Sequence, residues 1–164
     1  MTRFKRFTTP LGPILATAND CGISGIYFVG QRYEVDLGGD WREEGDDPVL
    51  AECARQLGEY FEGKRREFDL PLAAAGSDFQ RRVWREIARI PFGETISYAE
   101  LARRAGAAGS ARAAGSATGH NPLSVVVPCH RVVGSDGSLT GYAGGLERKT
   151  RLLEIEGALA GTLV

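Results

Sequence analysis

Residues 97–119 read SYAELARRAGAAGSARAAGSATG. Ser97 and Glu100 stand at the S-x-x-E spacing of a capping box, which predicts a helix from there to about Ala105, stopped by Gly106. Ser110 predicts a second cap, with a helix over about Ala111 to Ala117 that ends at Gly119. Two short helices across a glycine-containing turn are the sequence form of a helix-turn-helix. The second helix is made of small residues, with Arg112 its only long side chain. Such a helix can approach a surface closely, and its arginine can reach into a narrow minor groove or take the space of an extruded base. The same letters also fit an Ala-rich helix packed on a core with Arg112 in solvent.

Upstream, Phe79, Val83, Ile87 and Ile90 form one helical face with Trp84 beside it, capped by Ser77 or Asp78 and ended by Pro91 and Gly93. The stretch 73–76, three alanines and a glycine, is the best linker candidate. It divides the chain into lobes 1–75 and 76–164. The first lobe reads as three short strands, Phe4 to Thr8, Ile14 to Thr17 and Ile23 to Val29, then an acidic loop over 38–47. A helix follows from Pro48 with Leu50, Cys53, Ala54, Leu57 and Phe61 at helical spacing, and Phe68 to Leu72 is predicted as one more strand. In the second lobe the β-branched run 125–127 predicts a strand ending at Val127, Asp136-Gly137 a turn, and Leu146 to Glu156 a last helix.

Composition is that of an ordinary globular protein, 43% hydrophobic and 25% charged over 164 residues. No apolar run is long enough for a membrane span, and residues 1–13 lack the apolar core of a signal peptide, so a cytoplasmic or nuclear location is expected, nucleoid-associated in a prokaryote. Net charge is −1, yet residues 1–75 hold 9 Lys and Arg against 13 Asp and Glu, and residues 76–164 hold 11 against 8. The second lobe therefore suits an anionic partner better than the first. Three cysteines, Cys21, Cys53 and Cys129, cannot all pair and show no CxxC spacing, which argues against a disulfide scaffold. The two histidines, His120 and His130, lie far in sequence from Cys21 and Cys53, so a structural zinc site has little support.

Cys129 stands apart. It follows Pro128, which cannot donate to a strand ladder, and precedes His130 and Arg131. A thiol near its ordinary pKa is mostly protonated at neutral pH, and a histidine can draw the proton off directly or through a water. In extended chain neighbouring side chains point apart, so the pair needs a bridging water or a turn. Glu154 and Glu156 are candidates to orient the histidine.

Taken together, Pro128-Cys129-His130-Arg131-Val132, Phe79-Gln80 with Val83-Trp84, Ile90-Pro91 with Gly93, Ser97-Tyr98 with Leu101-Ala102, Ala111-Arg112-Ala113 with Gly115, Asn121-Pro122, and Gly141-Tyr142 with Gly144-Gly145, then Lys149 and Leu152-Leu153 through Glu156, resemble the ordered motifs of the O6-alkylguanine-DNA alkyltransferases. The resemblance covers about 77–157. It implies an RNase H-like α/β N-terminal lobe, a small sheet with a helix, and a mainly helical C-terminal lobe containing the helix-turn-helix. It implies stoichiometric transfer of an alkyl group from O6-alkylguanine, and possibly O4-alkylthymine, in double-stranded DNA to Cys129, by a monomer working from the minor groove with no cofactor.

The resemblance also implies residue roles. His130 deprotonates Cys129 through a water with Glu156 behind it, and Asn121 holds the turn. Arg112 replaces the flipped nucleotide. Tyr98 pushes on a phosphate and protonates the leaving guanine at N3, and Ser135 touches the DNA backbone. Val132 and the stretch Tyr142, Ala143 and Gly144 line the base pocket. Ala114 and Ala143 depart from the pattern, which carries valine and in some relatives serine there. Some relatives hold zinc in the N-terminal lobe; the absence of histidine from this lobe argues against carrying zinc over. A cysteine hydrolase, a binder of alkylated guanine without repair, and a transcriptional regulator are the rival classes.

Overall fold

The computed structural model describes residues 2–31, 40–139 and 141–158. The chain divides into two compact units. One is Met1–Ala75 with Pro122–Ser124, and the other is Gly76–Asn121 with Val125–Val164.

The first unit is built on a sheet in the order β3-β2-β1-β4, in which β1 is Arg3–Thr9, β2 Gly12–Asn19, β3 Gly22–Phe28 and β4 Arg42–Glu43. β1 and β2 pair antiparallel from Arg3 opposite Ala18 to Thr9 opposite Gly12. Their turn closes because the Thr9 hydroxyl donates to the Gly12 carbonyl at 2.7 Å and accepts from the Leu11 amide at 3.1 Å. The next turn is closed by Asn19, whose side-chain oxygen accepts from the Cys21 amide. β2, a central strand of the sheet, is buried from Ile14 through Ala18. Helix α1, Pro48–Phe61, buries Leu50, Cys53, Leu57 and Tyr60 along one stripe. Asp47 caps it, accepting from the Val49 and Leu50 amides at 3.1 Å each while also taking Arg3 Nε at 2.6 Å.

Two expectations fail in this unit. The acidic stretch 38–47 is not all loop. Gly38 and Gly39 lie outside the described residues, but Arg42 and Glu43 add to β1 in parallel, with the Arg42 amide donating to Thr2 and the Glu44 amide to Phe4. Conversely, Phe68 to Leu72 forms no strand. Gln56 holds both backbone groups of Asp69 at 2.9 Å, Pro71 has no amide to give, and only Leu72 bridges to Ile23. Residues 122–124 return to this unit, with the Ile26 amide donating to the Pro122 carbonyl and the Ser124 amide to the Ile26 carbonyl.

In the second unit α2 is Asp78–Ala88, β5 Ile96–Ser97, α3 Tyr98–Arg104, α4 Ala111–Gly119, β6 Val132–Val133 and α5 Leu146–Ile155. Ser77 and Gln80 make a complete capping box at the start of α2, which buries Val83, Trp84 and Ile87. The helix-turn-helix pair α3 and α4 pack on each other and on α2, and the Trp84 indole N–H donates to the Ala117 carbonyl at 2.8 Å. The caps of this pair differ from expectation. Ser97 accepts from the Glu100 amide, but the Glu100 carboxylate is drawn away to Arg103 and Arg104, and Ser110 makes no capping bond.

The strand expected to end at Val127 is also absent. Residues 124–126 form a turn, with Val125 at φ +70°, a left-handed conformation costly for a β-branched residue. β6 lies after the cysteine instead and pairs in parallel with β5. Among the described residues no helix is long and apolar enough to cross a membrane.

Candidate active site

Cys129 opens a single 3-10 turn, Cys129–Arg131, between the bend at 124–127 and β6. The turn is tightly tied. The Cys129 amide donates to the Val127 carbonyl at 2.8 Å, and Asn121 Nδ2 donates to the same carbonyl at 2.8 Å. Asn121 thus supplies the donor that a sheet neighbour would have supplied to this buried carbonyl. The turn also answers the geometric difficulty of two adjacent reactive side chains, because residues in a 3-10 turn do not alternate faces as strand residues do.

Cys129 is only 4% exposed. Burial is the largest influence on it and pushes its pKa up. Hydrogen bonds from Asn121 and Tyr142 and the positive charge of Lys149 pull the other way. His130 is fully buried next to it. Its Nε2 lies 2.7 Å from Glu156 Oε2, and its buried Nδ1 has no hydrogen-bond partner among the described residues. Burial lowers the His130 pKa most strongly, Glu156 opposes that, and the charges of Arg131 and Lys149 add to the lowering. Of the two carboxylates expected to serve the histidine, Glu156 does so from the C-cap of α5, while Glu154 is exposed.

The other sequence candidates fall in two groups. Tyr98, at the start of α3, donates its hydroxyl to the Gly141 carbonyl at 3.2 Å, and burial followed by the nearby cysteine pushes its pKa up to about 12. Val132 is buried in β6, Tyr142 and Ala143 are half-buried and Gly144 is buried. These residues belong to the same unit as the thiol. Arg112 and Ser135 are exposed. Ala114, where the resemblance would put valine, is fully buried on the inner side of α4.

Two charged residues that sequence reasoning left without a role belong to this cluster. Lys149 is fully buried, donates to the Val132 carbonyl at 2.6 Å, and lies 5.8 Å from the centre of the Tyr98 ring. Burial lowers its pKa to about 8, with the cysteine opposing. Arg131 meets Glu156 with two nitrogens, at 2.8 and 2.9 Å, and donates a third N–H to the Ile90 carbonyl. The sequence did carry a signal for one of them. Lys149, Leu152, Leu153 and Glu156 stand at the i, i+3, i+4, i+7 spacing of one helix face, so ionic groups cap both ends of the apolar stripe of α5. Among the described residues no three His, Cys, Asp or Glu side chains gather into a metal-holding group.

A buried thiol beside a histidine backed by a carboxylate, in one unit with a helix-turn-helix pair, defines a cysteine-nucleophile protein of a DNA-binding type. The comparisons make the class specific. Residues 3–74 match the family model of the 6-O-methylguanine DNA methyltransferase ribonuclease-like domain, and residues 78–158 match that of its DNA-binding domain. The chain is 47% identical over 156 residues to a methylated-DNA–protein-cysteine methyltransferase of Mycolicibacterium paratuberculosis, covering 95% of this chain and 93% of the relative. It is 45% identical over 148 residues to one of Methanosarcina barkeri, covering 90% and 92%. The solved structure of Mycobacterium tuberculosis OGT in complex with DNA superposes with a TM-score of 0.86 at 40% identity, covering 95% of this chain and 93% of that one. The chain belongs to the 6-O-methylguanine DNA methyltransferase family, with its ribonuclease-like lobe followed by the helical DNA-binding lobe.

Proposed function

We propose that this protein repairs DNA directly, moving the alkyl group from O6 of guanine in duplex DNA onto the sulfur of Cys129. The observation that carries the reading is the Cys129–His130–Glu156 arrangement, with a bare Nδ1 on the buried imidazole, in a chain that matches the family along both lobes. The O6 substituent is hidden inside a stacked duplex, so the nucleotide has to leave the helix. Arg112, exposed on a helix of small residues, enters from the minor groove and fills the vacated space. The extruded base lies against the Val132 backbone and the stretch Tyr142, Ala143 and Gly144. Ser135 meets the DNA backbone.

The Cys129 proton passes through a water to His130 Nδ1, and Glu156 holds the resulting imidazolium. Asn121, Tyr142 and Lys149 stabilise the thiolate. Sulfur attacks the alkyl carbon, the carbon–O6 bond breaks, and its electron pair leaves with guanine. Tyr98 donates a proton to guanine N3. It holds that proton at neutral pH, its pKa being near 12, and gives up the Gly141 carbonyl to do so. The imidazolium proton then restores the tyrosine. In sum, the thiol proton ends on guanine and the alkyl group on sulfur. The thioether has no easily broken bond, so one molecule of protein, acting as a monomer, removes one alkyl group. O4-alkylthymine offers the same displacement chemistry.

The test is intact-protein mass spectrometry after incubation with excess O6-methylguanine oligonucleotide. The expected result is a gain of one methyl group, mapped by peptide analysis to Cys129. Cys129→Ala retains duplex binding and gains nothing. An unchanged mass for folded wild-type protein sinks the reading and leaves a damage binder or a cysteine hydrolase.

A further inference from the structure

Glu156 is shared. Its Oε2 faces both His130 Nε2 at 2.7 Å and an Arg131 terminal nitrogen at 2.9 Å, while its Oε1 faces Arg131 Nε at 2.8 Å. All three side chains are buried or nearly so. A buried carboxylate facing a histidine alone would draw a second proton onto the ring, since the charges then cancel. Such an imidazolium carries hydrogen on both nitrogens and cannot accept another proton. Here the carboxylate charge is already matched by a two-pronged guanidinium, the geometry that holds such pairs most firmly. A further proton on His130 would leave the buried group with a net positive charge.

We infer that Arg131 is a positioning residue of the transfer site: by claiming both oxygens of Glu156 it keeps His130 neutral, with its proton on Nε2 and Nδ1 bare to receive the proton of Cys129. Burial is the largest influence holding His130 neutral, the charges of Arg131 and Lys149 act in the same direction, and Glu156 opposes them. From its own turn come Cys129 and Arg131, and from α5 come Glu156 and Lys149, the last a second positive charge that disfavours imidazolium. From α2, the other element packed on the turn, Val83, Trp84 and Ile87 point inward and the arginines are exposed. Just past α2, the Ile90 carbonyl takes an Arg131 N–H and fixes the guanidinium in place. Arg131 serves the alkyl transfer proposed above and rests on that reading for its use. Its effect on the imidazole is measured without any transfer.

The chain has two histidines, so long-range proton–nitrogen NMR correlation spectra of the 15N-labelled protein resolve both rings. His120, exposed on the far end of α4, serves as the internal control. In wild-type protein at pH 7 His130 is expected neutral with hydrogen on Nε2 only. In Arg131→Met it becomes doubly protonated, with its titration midpoint raised by at least about one pH unit. Arg131→Lys, which restores a cation, stays near wild type, and Arg131→Met combined with Glu156→Gln, which removes both charges, returns the ring to neutral. Transfer to free O6-benzylguanine by Arg131→Met shows its acid limb displaced upward by a similar amount. A wild-type His130 that is imidazolium at pH 7, or an unmoved midpoint in Arg131→Met, overturns the inference. If Arg131→Met does not fold, Arg131→Gln, which keeps hydrogen-bonding groups without the charge, is read in its place, with the same raised midpoint expected and an unmoved one overturning the inference. Absence of methyl transfer together with the expected spectra would reject the functional reading and leave the role of Arg131 on the imidazole intact.

Discussion

Cys21 lies exposed on the β2–β3 turn, Cys53 is buried on the inner face of α1, and Cys129 is buried, with Asn121, Lys149 and Tyr142 opposing the upward push of burial on its pKa. Thiolate reactivity should therefore sort the three without reference to DNA. With a small thiol reagent at pH 7.5, Cys21 is expected to be labelled within minutes. Cys53, whose pKa burial drives up to about 12, is labelled only as fast as the protein unfolds. Rapid native labelling of Cys53, followed by peptide mapping, would contradict the burial described. Much of the chemistry at this scale was legible in the sequence. Cys129, His130 and Glu156 are adjacent or helix-phased letters in an informative order. Arg131 was not legible as a participant, and Lys149 only through its helix phase, because a charged residue reads as solvent-facing until the packing shows which carbonyl or carboxylate receives it.

The helices were legible because each carries both a period and a stop signal. α2 has its Ser77–Gln80 box and its apolar stripe, and α5 has Leu152 and Leu153 in phase with Lys149 and Glu156. The segments at 68–72 and 125–127 were misread for one shared reason. β-branched and aromatic letters suggest a strand, but whether a ladder forms depends on which backbone partner is free. In these two places side chains, Gln56 and Asn121, hold the backbone groups instead.

The helix-turn-helix pair yields two measurements. Trp84→Phe removes the donor to the Ala117 carbonyl and leaves a buried acceptor unsatisfied, so urea unfolding should show a loss of about 1–3 kcal/mol. An unchanged midpoint would mean that the indole bond does not contribute. Arg112→Ala sits on the exposed face of α4, so its stability should stay within about 0.5 kcal/mol. Repair of duplex should slow far more than transfer from free O6-benzylguanine. Equal losses on the two substrates would remove Arg112 from base extrusion.

For the whole molecule the proposed reaction is also a mutation of the core. It adds a group to the sulfur of Cys129, a residue only 4% exposed, and replaces a thiol with a bulkier thioether. Overpacking of this kind costs about 1–3 kcal/mol, which for a chain of this size lowers the melting temperature by roughly 2–10 °C. The expected order is unmodified above methylated above benzylated protein in a calorimetric scan. A benzylated form that melts with the unmodified one would mean that the site already holds room for the group.

The return of residues 122–124 to the sheet of the first unit has a consequence for how such a gene can be cut and joined. A break between codons 75 and 76 looks like a clean seam. It nevertheless separates Ile26 from the backbone groups of Pro122 and Ser124 that it pairs with, because residues 122–124 are encoded in the downstream half. The two lobes are therefore not freely exchangeable cassettes. A chimaera that takes its first 75 residues from one relative and the rest from another also imports a foreign segment into the edge of the recipient's sheet, and the compatibility of that short stretch limits which exchanges fold.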